Sequence, residues 1–166
     1  MTLTAILFWV LAGIVFFAYA GYALVVAGLL KAGFGTRPAS AAGNEALPVT
    51  LVVPAYNEAG FIEEKIQNCL QLNYPAHLIS FVFITDGSTD GTPDIIGRYP
   101  QLLLMHQAAR NGKIDAMNRV MKTITTPFVI FSDANTLLNA DAVEQIMKHY
   151  HQPDVGGVAG EKKVLS

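Results

Sequence analysis

Cysteine is almost missing from this chain. Cys69 is the single one in 166 residues, so no disulfide framework can form, and a reducing cytoplasm suits it. It falls on the apolar side of a helical pattern and reads as a core residue. Histidine is also sparse: the four present show no metal-ligand spacing. His149 and His151 flank Tyr150 and read as a solvated helix end with a favourable dipole. Charge is scarce, at 14% of residues with a net of −2, and nucleic acid is not among the expected partners. Between Thr4 and Leu30 there is no charged side chain at all.

That uncharged run, "TAILFWVLAGIVFFAYAGYALVVAGLL", is long enough to cross a bilayer as a helix. A buried soluble helix rarely stays apolar all round for so long. No basic residue precedes the run, and it is too long for a cleaved signal peptide. Trp9 and Tyr22 suit interfacial anchoring, and Lys31 and Arg37 follow the span, so the positive-inside rule puts the remaining bulk in the cytoplasm. The expected organisation is a transmembrane anchor over 1–31, a Gly/Ala/Ser/Pro linker over 32–47 and one domain over 48–166. The implied location is the cell membrane, crossed once. Gly33 and Gly35 imitate a dinucleotide fingerprint, but no soluble strand precedes them.

After the linker, apolar runs alternate with amphipathic ones. Strands are expected at "VTLVVP", 79–85, "QLLLMH" and "PFVIFS", with "VGGVAG" beginning a last one. Helices are expected at 59–71 (Ile62, Ile66, Cys69 and Leu70 inward), at 93–98 with Thr92 as cap, at 113–124 (Ala116, Met117, Val120 and Met121 inward) and at 141–150. In the last of these, Glu144 stands where a capping-box partner of Asp141 belongs. Arg119 and Lys122 read as a solvated helix face. The fold class is α/β, a mostly parallel sheet with helices on both faces. The strands end in "PAYNE", "DGSTDG", "ARNGK" and "SDANT". In a parallel sheet these ends share one edge, so Glu58, Asp86, Asp90, Lys113 and Asp133 would converge on one crevice.

"TDGSTDG" also imitates a calcium loop, with Asp86, Ser88, Asp90 and Gly91 at suitable positions. A bidentate Glu is missing at the twelfth position, which is Gly97, and a strand rather than a helix leads in. The calcium reading fails.

Taken together and in order, "VVPAYNE", "TDGSTDGT", "NGKIDAMN" and "FSDANT" resemble the successive motifs of family-2-type processive glycosyltransferases. These have a GT-A, Rossmann-like fold and include cellulose, hyaluronan and poly-N-acetylglucosamine synthases. The resemblance covers about residues 48 to 166. It implies a UDP-sugar donor, a glycan acceptor and a membrane setting. Pro54, Ala55, Tyr56, Asn57 and Glu58, with Asp86 and its neighbours Gly87 and Ser88, take the positions that cradle uracil and ribose. Lys113 matches the lysine near the diphosphate, and Arg110 stands as a helper. Asp133 matches the first aspartate of the family's Asp-x-Asp, while Asn135 replaces the second, the usual Mg²⁺ or Mn²⁺ ligand. An amide oxygen can ligate a hard cation but brings no charge, so a weakly held metal at Asp133 and Asn135 is expected.

In these synthases the acceptor base belongs to a later motif, followed by a Gln-x-x-Arg-Trp element. The sequence reaches "VAGEKKVLS" before either, and Glu161 does not match the base. Two hypotheses follow. The chain is the donor-binding half of a glycosyltransferase with an incomplete sheet, or a non-catalytic, membrane-tethered UDP-sugar-binding module. A nucleotidyltransferase fits worse, for want of its own Gly-rich phosphate loop. Asp86→Ala is expected to weaken UDP binding with little loss of fold, as befits a charged loop residue.

Overall fold

The computed structural model describes residues 2–34 and 45–161. The expected linker lies mostly outside them, as does Arg37. The chain divides into two compact units, 1–41 and 42–166.

The first unit is one continuous helical rod, Leu3–Lys31, of 29 residues. It comprises α1 (Leu3–Phe16), a π-helical turn (Phe17–Gly21) and α2 (Tyr22–Lys31). Leu, Phe, Val and Ile cover its exposed surface on every side. By length and composition it can cross a membrane.

In the second unit, β1 (Val49–Ala55), β2 (Ile79–Asp86), β3 (Leu103–Gln107) and β4 (Phe128–Phe131) form a parallel sheet in the order β3-β2-β1-β4. Helices α3 (Ile62–Leu70), α4 (Thr92–Ile96), α5 (Lys113–Met121) and α6 (Ala142–His149) alternate with them. Strand β1 is buried on both faces. Val49, Leu51, Val53 and Ala55 pack with Ile62, Ile66 and Cys69 of α3 and Val143 and Met147 of α6. On the other face, Val52, Val82 and Ile84 meet Ala116 and Val120 of α5. Alternate residues of one strand thus serve two helical layers. The order reverses between β1 and β4, which opens a crevice at their carboxyl ends.

Several local expectations are corrected. "VGGVAG" forms no strand; residues 155–160 are irregular, and three glycines there raise the cost of ordering an extended segment. Helix α5 ends at Met121, which is 47% exposed and not inward; beyond it the Thr123 N–H and hydroxyl both donate to the Val120 carbonyl and close the last turn. Gly91, at φ 84°, is the N-cap of α4, and Thr92 begins the helix instead of capping it. The capping box of α6 does not form. Glu144 pairs with Lys148 at 2.6 Å, and Asp141 accepts from Gln145 Nε2 at 3.3 Å.

Candidate functional site

Strand β1 delivers Pro54 and Ala55 to the sheet edge, and the chain then turns through Asn57, at φ 53°. This turn is stitched to the loop after β2. The Asn57 N–H donates to Ser88 Oγ at 3.2 Å, and the Thr89 N–H returns to Asn57 Oδ1 at 2.9 Å. The Glu58 N–H donates to Thr92 Oγ1, and the Ala59 N–H to Asp90 Oδ2. Burial pushes the Asp90 carboxyl up. Hydrogen bonds from the Thr92 hydroxyl and the Ala59 and Thr92 N–H groups outweigh it and hold its pKa below the ordinary value.

Gly87 has φ 73°, and a Cβ there would meet Arg110 Cβ at 2.6 Å. Only glycine lets the loop before α5 approach so closely. Asp86, the last residue of β2, fastens that loop. Its Oδ2 accepts the N–H groups of Asn111 at 2.8 Å and Gly112 at 2.6 Å. Its Oδ1 accepts from Arg119 Nη2 at 3.2 Å. Asp86 is 7% exposed, so it is a buried anchor, not a loop residue free of packing duties. Arg119 likewise is no solvated face residue. It reaches inward to Asp86, with its Nε 3.4 Å from Asp115 Oδ2, an ion-pair contact short of a well-formed hydrogen bond.

These loops enclose a cleft of about 400 Å³. Its lining takes Pro54, Ala55, Tyr56 and Glu58 from the first motif, Asp86 from the second, Arg110 and Lys113 from the third, and Asp133 and Asn135 from the fourth. Asn57, Gly87, Ser88 and, against expectation, Asp90 are not in the lining; they hold the surrounding turns together. The Arg110 guanidinium stacks 4.0 Å over the Tyr56 ring and donates to its hydroxyl at 3.2 Å. Lys113 Nζ meets Asp133 Oδ1 at 2.9 Å in a solvent-exposed pair. The cleft therefore carries two cations, one paired with a carboxylate and the other stacked on an aromatic ring.

No group of three His, Cys, Asp or Glu suited to a metal occurs among the described residues. Asp133 and Asn135 provide two oxygen donors on one loop of the cleft. That donor set fits Mg²⁺ or Mn²⁺ only as an ion shared with a ligand's own oxygens.

Sequence periodicity missed Lys65. It lies on the buried face of α3, is 0% exposed, and donates to Ser132 Oγ and the Thr136 carbonyl. Its spacing from Ile62 and Cys69 was the available signal, because 62, 65, 66 and 69 share one helical face. Burial lowers its pKa, with the neighbouring Cys69 and Asp133 acting in the opposite sense.

A profile described as glycosyl transferase family 2 matches residues 50–164. The chain belongs to glycosyl transferase family 2. This family 2 chain is 28% identical over 120 residues to poly-beta-1,6-N-acetyl-D-glucosamine synthase from Staphylococcus aureus, an alignment covering 70% of the chain and 29% of that relative. The Staphylococcus epidermidis synthase aligns over the same length at 26% identity. The chain thus spans under a third of the length of these curated relatives. Among solved structures, the mannosyltransferase PcManGT from Pyrobaculum calidifontis, in complex with GDP-Man and Mn²⁺, superposes with a TM-score of 0.74 at 31% identity, covering 84% of this chain and 43% of that one. Staphylococcus aureus TarS 1–349 in complex with UDP gives 0.56 at 25% identity, covering 63% and 33%. The GT-A fold expected from the motifs is the fold found.

Proposed function

We propose that the 48–166 domain is the donor-binding part of an inverting glycosyltransferase that uses a UDP-sugar to extend a glycan. The carrying observation is the convergence of four strand-end motifs on one cleft, with Tyr56, Asp86, Lys113 and Asp133 all in its lining. Its volume lies within the range of small-molecule sites.

In this reading the Tyr56 and Arg110 pair offers a flat face for the base. Asp86 has about four acceptor positions as a carboxylate. Three are taken by Asn111, Gly112 and Arg119, which leaves one. One acceptor suits the single N3–H of uracil, whereas guanine presents two donors and cytosine presents none at N3. Lys113 meets the diphosphate as a point charge, tolerant of its changing geometry. When bound, Mg²⁺ or Mn²⁺ at Asp133 and Asn135 would neutralise charge building on the departing UDP. Lys113 must then leave Asp133, exchanging an exposed pair of small energetic worth for the diphosphate.

The hydrophobic rod supports attachment to the cell membrane through this span, with the cleft on the cytoplasmic side, where Lys31 follows the apolar run. A GDP-sugar donor is the second reading, favoured by the GDP-Man held in the PcManGT structure. Calorimetric titration of the purified chain with UDP and GDP, with and without Mn²⁺, tests both. UDP binding tighter than GDP supports the proposal, and the reverse order replaces it with the second reading. UDP release from UDP-GlcNAc or UDP-Glc then separates an enzyme from a binding module. Binding without release favours the module for this chain alone, and it is also what a donor-binding part without its acceptor-side motif would show.

A further inference from the structure

We propose that Lys65 is a positioning residue, whose buried ammonium ties both ends of the 132–136 loop and so sets where Asp133 and Asn135 stand. This rests on the donor-site reading above. Lys65 is among the largest fully buried side chains of the described residues, yet it is charged. It donates to Ser132 Oγ at 2.7 Å and to the Thr136 carbonyl at 2.5 Å. Those two acceptors bracket Asp133, Ala134 and Asn135. Ala134 between them is buried, so the loop is pinned at its middle as well. Three residues along the same helix, Asn68 holds Leu138 in both directions, donating to its carbonyl and accepting its N–H at 2.8 Å each. Helix α3 thereby grips the segment following β4 at three successive points.

Stability does not account for a lysine here. A buried cation is costly to desolvate, and an apolar side chain of similar length is often as stable or more so. The ammonium's hydrogen bonds go to the loop that carries the two oxygen donors of the cleft. Residues that orient ligands in this way typically change affinity for the metal tenfold or more when removed. The spacing of Asp133 and Asn135 matters more here than in a loop with two carboxylates, because Asn135 adds no charge to compensate for poor aim.

The test compares wild type, Lys65→Met and Ser132→Ala, each as the full chain in detergent. Met keeps the length and apolar body of Lys65; Ser132→Ala keeps the ammonium but removes one anchor. Lys65→Met is expected to weaken UDP binding in Mn²⁺ by about tenfold, and to change metal-free UDP binding less than about twofold. Ser132→Ala acts in the same direction by about threefold, the worth of one hydrogen bond. Amide exchange should quicken at 133–136 in Lys65→Met and stay unchanged at 86–92. Removing a cation also relieves repulsion of Mn²⁺, an effect of opposite sign; tighter Mn²⁺-dependent binding in Lys65→Met would overturn the proposal. Equal weakening with and without Mn²⁺, or unaltered exchange at 133–136, would overturn it too. Should Lys65→Met fail to fold, Ser132→Ala decides. A wild type that binds no UDP, or binds it without regard to metal, refutes the donor or metal reading, and loop exchange alone then decides the role of Lys65.

Discussion

Replacing Asp86 by alanine should destabilise the second unit substantially, which separates the structure most sharply from what its loop-like motif suggests. The carboxylate accepts two backbone N–H groups and one guanidinium. Each backbone donor left without a partner in this half-buried turn costs about 1 kcal/mol. Arg119 retains Asp115 at 3.4 Å and is a quarter exposed, so its charge is not stranded. Its loss adds about 1 kcal/mol, well under the cost of breaking a fully buried pair. The total is about 3 kcal/mol, which for a domain of this size lowers the melting midpoint on the order of 10 °C. Circular dichroism melts of the full chain in detergent measure it. Asp86→Asn should lose less, because its amide oxygen can still accept the Asn111 and Gly112 N–H groups. A melting midpoint for Asp86→Ala within about 2 °C of wild type would be too small a change for these bonds, and would refute the claim that they hold the loop.

Lys113→Ala should leave the melt unchanged, since its pair with Asp133 is exposed, yet weaken UDP binding about tenfold; a lower midpoint with normal binding would reverse that assignment. Burial pushes the Cys69 thiol up to about 11, although the Lys65 ammonium opposes this. The native protein should therefore resist iodoacetamide at neutral pH and react only after unfolding, as mass spectrometry would show. Asp90 has a pKa depressed below its ordinary 3.8, so its stabilisation is present above that value and lost as pH falls through the lower folded one. The stability gap between wild type and Asp90→Asn should therefore close below about pH 4. A gap that widens on acidification would contradict the hydrogen-bonding pattern around Asp90.

The sheet was legible because each strand is a short apolar run stopped by a polar loop, and parallel pairing leaves few ways to order such units. The cleft followed from the same logic: Pro54, Tyr56, Asp86, Lys113 and Asp133 sit at strand or helix ends, where topology alone brings them together. What escaped were interactions joining residues distant in sequence through charge. Arg119 lies 33 positions from Asp86, and helical periodicity says only that it neighbours Ala116 on α5. Lys65 sits at an inward position of α3, but a lysine ordinarily signals solvent, and its acceptors stand 67 and 71 positions away. The strand expected at "VGGVAG" failed for a different reason. Two valines among small residues permit an extended segment, but a strand also requires a partner to take its hydrogen bonds.

Hydrogen exchange with and without UDP tests the central claim most directly, because it reads all four motifs at once. The account predicts simultaneous protection at 54–58, 86–92, 110–116 and 133–135, with the helical rod at 3–31 unchanged. Protection confined to one of these segments, or absent from all of them at saturating UDP, would contradict a shared nucleotide site.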